Sequence, residues 1–385
     1  MNKIIRITTV SSSLKGLLKG QLRFMNSHYE MIGIASDEDQ HLKPYEKREG
    51  VKTIHVNMTR KITPIKDLIS VYQLYKIIKK EKPLIVHTHT PKAGTVGMLA
   101  ARLAGVKHRL HTIAGLPLVE ATGFKRRILN AVEKFTYSCS TLVLPNSFGM
   151  KQIILDEGFC KESKLKVIGN GSSNGINTEQ FNPETVKKSD IEDLRAKIGI
   201  SKGDIIFLFV GRIVKDKGIK ELVESFNELT KNFNNISLIL VGPKEDHLDP
   251  LDAKTESVIN SNTKIYCMGE SNNVKPYYCL CDVFVFPSYR EGFPNVVLEA
   301  GSMGKPCVVS DINGSNEIIR QNYNGLIVPK KDSKELTEAI RLLITDSNLL
   351  NTLAKNARVN IIQKYQRQAI WDELLQLYKS LEQAY

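Results

Sequence analysis

Apolar residues along the chain fall into short β-branched runs separated by longer stretches with helical spacing, and the two alternate from end to end. In the first half, the runs Ile4–Thr9, Met31–Ala35, Thr53–Val56, Leu84–His87, Arg109–Thr112, Thr141–Leu144 and Lys166–Ile168 predict strands. Helices are predicted near Leu14–Asn26, Ile65–Lys80, Ala93–Ala104, Phe124–Tyr137 and Phe148–Glu157. The Gly/Ser/Asn-rich segment Gly169–Asn177 (GNGSSNGIN) reads as a hinge. After a helical stretch around Ile191–Ile198 the pattern restarts with IIFLFVG, and later strands centre on Leu238, Ile265, Val285, Val308 and Ile327. Such alternation implies parallel sheets covered by helices on both faces. A last helix, from about Leu349 to Tyr385, contains the only tryptophan, Trp371, expected to anchor a core.

Composition narrows the class. The 385 residues suffice for two domains, and 42% hydrophobic with 25% charged residues is the balance of a soluble globular protein. The start, MNKIIRITTV, alternates into a strand rather than forming a signal peptide, and no apolar run is long enough to cross a membrane. Six scattered cysteines are expected to be reduced core thiols, since Cys279-x-Cys281 without a second pair does not make a zinc site. The net charge of +13 is uneven: residues 1–150 hold 24 Lys+Arg against 10 Asp+Glu, and residues 151–385 hold 30 against 31. All the excess therefore lies in the N-terminal half, which suits an anionic partner. Nucleic acid is disfavoured, because no helix-turn-helix, zinc finger or aromatic RNA-binding motif accompanies the charge. The segment Phe124-Lys125-Arg126-Arg127-Ile128-Leu129, with Val132 and Lys134, could instead meet an anionic membrane surface with its cations while its apolar residues face core or lipid.

The chemistry concentrates between Asp282 and Pro306. Val283–Phe286 has the length of a buried strand, Pro287 ends it, and a polar turn leads through Glu291 and Gly292 to Pro294 and Asn295, which open an apolar helical pattern. Glu291 and Glu299 stand eight positions apart, one on the loop and one about a turn inside the helix. The helix start between them suits an anionic group. A nucleotide sugar, with hydroxyls at both ends and phosphate in the middle, fits such a site. Earlier in the half, Arg212 follows the strand Ile205–Val210 at its carboxyl end, where open α/β sheets bind ligands, and Lys217 precedes Gly218 and the next helix. One loop can thus aim a guanidinium and an ammonium at one diphosphate.

These residues resemble the E-x7-E signature of retaining glycosyltransferases of family 4, of bacterial surface-polysaccharide type, and the resemblance covers nearly the whole chain. It also rests on Val210–Gly218 (VGRIVKDKG), Leu238–Pro243 (LILVGP), Gly304–Ile319 (GKPCVVSDINGSNEII) and Asn324–Pro329 (NGLIVP). The resemblance implies a GT-B fold: two Rossmann-like doubly wound domains with a cleft between them. Residues 1–175 would bind acceptor, 176–365 would bind donor, and 366–385 would form a helix crossing back to the first domain. It further implies that Arg212 and Lys217 neutralise the diphosphate and that Glu299 holds the ribose hydroxyls. Glu291, with the backbone of Gly292, Phe293 and Pro294, would hold the sugar; Asn295 and Val296 would lie near the distal phosphate, and Met268 near the base. Gly16, in a loop after the first strand, would let the backbone approach the phosphates.

The N-terminal half departs from the family pattern. Where many relatives carry T-x-H-G, this chain has Thr112-Ile113-Ala114-Gly115, so Ala114 occupies the histidine position. His89 is the candidate reaction-centre histidine, with His87 and His111 as alternatives. If His87 is buried, His89 is expected to be the outward member of the pair, or the reverse. Asp37-Glu38-Asp39 forms a D-x-D, the metal motif of a different glycosyltransferase fold, but reads here as a solvated acidic loop.

The resulting expectation is metal-independent, cofactor-free retaining transfer of a hexose or N-acetylhexosamine. The donor would be a UDP-sugar and the acceptor a lipid-diphosphate-linked saccharide, at the inner face of the cell membrane. An epimerase or another GT-B enzyme with a soluble acceptor is the alternative. A nicotinamide enzyme is disfavoured: GNGSSNG nearly matches G-x-G-x-x-G but lacks the following helix.

Overall fold

The computed structural model describes residues 1–38, 40–245 and 249–383. The chain divides into two compact units: Met1–Gly175 together with Arg367–Tyr385, and Ile176–Gln366.

In the first unit the strands are β1 (Lys3–Val10), β2 (Glu30–Ser36), β3 (Lys52–His55), β4 (Ile85–His89), β5 (His108–Ile113) and β6 (Leu142–Pro145). The helices are α1 (Ser11–Leu17), α2 (Gln21–Asn26), α3 (Leu42–Glu49), α4 (Pro64–Glu81), α5 (Pro91–Leu103), α6 (Gly123–Cys139) and α7 (Phe148–Asp156). All strand pairs are parallel, in the order β3-β2-β1-β4-β5-β6. The order reverses between β1 and β4, the position where doubly wound sheets leave a crevice at their carboxyl edge.

Several elements differ from the sequence reading. The expected helix Leu14–Asn26 is two short helices, interrupted at Gly20, whose left-handed φ of 80° ends one turn and opens the next. Helix α3 escaped notice because its buried stripe is only Leu42, Tyr45 and Glu49, with Pro44 in its first turn. Lys166–Ile168 forms no strand; a single bridge joins Leu165 to Val143. The segment read as a hinge holds the boundary between the two units, after Gly175, and its first part is tied to the first unit: Ser172 donates its N–H to the Asn146 carbonyl (2.7 Å), and Asn174 is buried.

The second unit repeats the plan. Its strands are β7 (Ile205–Val210), β8 (Ile236–Val241), β9 (Ile265–Cys267), β10 (Val283–Phe286), β11 (Cys307–Ser310) and β12 (Gly325–Val328). Its helices are α8 (Lys188–Ile198), α9 (Ile219–Leu229), α10 (Ala253–Ser261), α11 (Lys275–Leu280), α12 (Asn295–Ser302), α13 (Ser315–Ile318), α14 (Ser333–Thr345) and α15 (Ser347–Tyr365). The strand order is β12-β11-β10-β7-β8-β9, again all parallel, with its switch point between β7 and β10. Both faces of the central strands are covered, which is why IIFLFV and VFVF can be apolar at every position.

The expected single C-terminal helix breaks at Gln366, whose ψ of 132° is extended. Beyond it α16 (Arg367–Gln383) belongs to the first unit, where Ile370, Leu374, Leu375, Leu377 and Tyr378 join the core under β1. Trp371 packs on Phe24 at 5.3 Å and donates its indole N–H to Asn174 (2.7 Å).

Candidate active site

Two loops of the second unit, at the carboxyl ends of β7 and β10, are tied into one framework. Gly218 makes this possible: with φ 71°, it lies so close to the Pro287 carbonyl that a Cβ would stand 2.0 Å from its oxygen. Beside it, Tyr289 donates its N–H to the Asp216 carbonyl (2.9 Å), and Arg290 bonds the Asp216 carboxylate (2.9 Å). Buried Tyr289 sends its hydroxyl to both oxygens of Glu221, at 2.7 Å each.

On this framework the structure brings Lys217 and Glu291 together as an ion pair, their side chains 13% and 18% exposed. Ser288 Oγ donates a second bond to the Glu291 carboxylate (2.9 Å), and Asn313 Nδ2 holds the Glu291 carbonyl (2.6 Å). Such low exposure strengthens the pairing above that of a surface pair. Arg212, more open, pairs with Glu245 at 2.6 Å. Helix α12 begins after Pro294, so Asn295 and Val296 supply its first N–H groups, and Glu299 lies one turn in. Glu299 accepts from the hydroxyl of fully buried Tyr278 (3.1 Å), a bond that fixes its orientation. Gly292 and Phe293 are buried in the turn between, and Met268 is half-buried after β9. Asp216, Glu245, Ser288 and Asn313 had not been singled out; Asp216 and Asn313 lay inside the quoted motifs, but Glu245 carried no signal.

The first unit holds a different cluster. Arg6, on β1, is fully buried among neutral groups. It donates from Nε to His89 Nε2 (2.8 Å), from one terminal nitrogen to the Tyr378 hydroxyl (3.0 Å) and from the other to Gln21 Oε1 (2.6 Å). Because His89 Nε2 accepts, its proton sits on Nδ1. The Tyr378 hydroxyl in turn bonds His87 Nδ1 (2.6 Å), and His87 Nε2 reaches Thr112 (2.7 Å). Burial, with Arg6 next in weight, pushes both histidines well below the usual imidazole range. The expectation that one would face outward is corrected: residues i and i+2 of a strand share a face, and the two rings lie 4.2 Å apart, both buried. A recess of about 20 Å³ lined by His89, Asn146 and Ser173 faces them, room for about one water. His111 is also buried; burial pushes it down to about 4, and Thr88 Oγ1 lies 2.8 Å from its Nδ1. Gly16 is an exposed position inside α1, with open space around it, rather than part of a loop. Asp39 of the D-x-D lies outside the described residues. The six cysteines are free thiols.

Sequence comparisons extend this picture across the chain. Residues 190–360 match the family described as glycosyl transferases group 1, and residues 7–147 match glycosyl transferase 4-like. The capsular polysaccharide biosynthesis glycosyltransferase CapM of Staphylococcus aureus is 34% identical over 379 residues, 98% of this chain and 97% of its own. The Escherichia coli UDP-Gal:alpha-D-GlcNAc-diphosphoundecaprenol alpha-1,3-galactosyltransferase is 32% identical, covering 97% of each. Among solved structures, HepE of Anabaena in complex with UDP superposes with a TM-score of 0.81 over 99% of this chain and all of the other, at 18% identity. Two doubly wound units with this strand order have the GT-B fold, and the family matches and relatives make the protein a glycosyltransferase. More narrowly, the chain belongs to glycosyltransferase family 4, among the bacterial surface-polysaccharide enzymes.

Proposed function

We propose that the protein transfers a hexose or N-acetylhexosamine, with retention, from a UDP-sugar to a lipid-diphosphate-linked saccharide during surface-polysaccharide assembly. The reading is carried by the Lys217–Glu291 pair on the locked β7 and β10 loops, with Arg212 beside it on the β7 loop and the start of α12 following on the β10 loop. Lys217 and Arg212 would neutralise the departing diphosphate without a bound metal or other cofactor. Glu291 would position the sugar, Glu299 the ribose, and Asn295 and Val296 the distal phosphate. Gly292, Phe293 and Pro294 would contact the sugar through their backbone, and Met268 the base. In the transfer the acceptor hydroxyl bonds the anomeric carbon on the face from which the diphosphate departs. Its proton passes to the leaving phosphate oxygen, so no protein nucleophile is required. His89, which lines the small recess and whose Nδ1 has no hydrogen-bond partner among the described residues, is the histidine we assign to the reactants.

The donor assignment draws support from the UDP-galactose named for the E. coli relative, and the acceptor assignment from that relative's diphosphoundecaprenol. The charge excess of residues 1–150 supports peripheral attachment of the first unit to the anionic inner face of the membrane; among the described residues no helix is long and apolar enough to cross it. Thermal-shift binding against UDP-, GDP-, ADP- and dTDP-sugars, followed by NMR of the product's anomeric configuration, tests the reading. Stabilisation by a UDP-sugar and a retained configuration are expected; an inverted product overturns the mechanism, and preference for another base overturns the donor.

A further inference from the structure

Helix α4 carries two apolar stripes. Val71, Leu74 and Ile78 face the core, but Ile65, Leu68, Ile69 and Tyr72, spaced i, i+3, i+4, i+7, are between 52% and 77% exposed. A soluble helix needs only the first stripe. Ile62, just before the helix, is also exposed, and it lines a cavity of about 770 Å³ at the carboxyl edge of the first sheet. That cavity lies at the switch point: Thr9 at the end of β1 and Thr90 after β4 both line it, their hydroxyls 2.7 Å apart. It is the size of a ligand pocket.

The lining has two characters. Arg60, Lys61, Lys92 and Lys125 outnumber its carboxylates, Asp67 and Glu133, and Lys92 is already paired with Asp67. Glu133 is nine-tenths buried, and burial pushes its carboxyl up. The start of α5 adds its positive end, with Ala93 donating its N–H to Thr9 Oγ1 (3.3 Å). Leu118, Leu129 and Val132 add an apolar part to the lining, the last two on the same helix, α6, as Lys125. Exposed Phe124 and Ile128 continue along α6 beyond it.

We propose that this cavity binds the isoprenoid diphosphate of the acceptor, with the diphosphate against Lys61, Lys125 and the α5 start and the chain leaving over the α4 ridge. The site rests on the lipid-diphosphate reading above and names the residues that hold that substrate. Charge complementarity chooses the occupant: cations at the cavity and an exposed apolar ridge on the outer face of the adjoining helix α4 match an anionic head on a long apolar chain, whereas a free phosphate would leave the ridge unused.

Vesicle sedimentation tests it, with phosphatidylcholine vesicles containing a long-chain isoprenoid diphosphate, or phosphatidylglycerol at equal charge, and with inorganic diphosphate as competitor. The wild type is expected to prefer the isoprenoid diphosphate vesicles. Ile65→Ser/Leu68→Ser/Ile69→Ser and, separately, Lys61→Glu/Lys125→Glu should each weaken that binding by about tenfold or more while leaving UDP affinity unchanged. Equal binding to both vesicle types, full displacement by inorganic diphosphate, or unchanged binding by both variants would overturn the site. Sugar transfer to lipid-diphosphate acceptors with unaffected variants would overturn the site but keep the acceptor reading. Preference for isoprenoid diphosphate vesicles without transfer to any lipid-diphosphate acceptor would overturn that reading and leave the site.

Discussion

Arg6 places a charge in the first unit's core against three neutral partners, His89, Tyr378 and Gln21, and burial pushes its pKa down while leaving it protonated. Replacing it orphans all three partners at once. Arg6→Met should therefore cost about 3 kcal/mol of stability, read as a lower urea midpoint of the first unit, and Tyr378→Phe about 1–2 kcal/mol. The second unit's pair behaves differently, because Glu291 and Lys217 sit on the surface side of a locked loop rather than in the core. Glu291→Ala should leave the melting temperature nearly unchanged and reduce kcat by about 10²–10³-fold; near-normal turnover would remove Glu291 from the reaction. Lys217 and Glu291 were each singled out from their motifs. Their pairing was not, because it depends on the close approach of Gly218 to Pro287, a contact across 69 positions of chain.

At the scale of elements, the strands were readable in place and, where bounds were given, nearly in extent, apart from Lys166–Ile168, because strands buried on both faces are rich in apolar residues, as VFVF of β10 is. Breaks were harder to read. Gln366 separates α15 from α16 with no glycine or proline to mark it, and the double stripe of α4 looked like one amphipathic helix because periodicity does not tell which stripe finds a partner. Strands β4 and β5 also hold four buried histidines, His87, His89, His108 and His111, all with pKa values depressed by burial. Their neutral forms contribute stability that is complete above the unfolded value of about 6.5 and is lost as pH falls toward the folded values. For His111, about 4 in the folded state, the loss by pH 5 is on the order of 2 kcal/mol. Urea unfolding of the first unit should therefore shift to lower midpoints between pH 7 and pH 5, and a flat profile would show these imidazoles to be solvated.

For the whole molecule, the first unit is discontinuous: its core takes Ile370, Leu374, Leu375, Leu377 and Tyr378 from the chain's end, after the second unit has been completed. Each of these side chains is at most 6% exposed, so removing α16 uncovers five apolar groups and also deletes the Tyr378 hydroxyl that Arg6 and His87 share. Full burial of such a side chain is worth about 1.5–3 kcal/mol, so losing all five removes stabilisation as large as the roughly 5–15 kcal/mol that holds an ordinary domain together. The second unit loses nothing from its own core, since every residue of its main cluster lies between Ile176 and Tyr365. A chain ending at Gln366 should therefore show one calorimetric transition where the full chain shows two, and UDP should still raise the surviving one. If both transitions persist, α16 is an accessory to the first unit rather than part of its core. If neither persists, the second unit does not fold without the first, and the donor site cannot be studied apart from it.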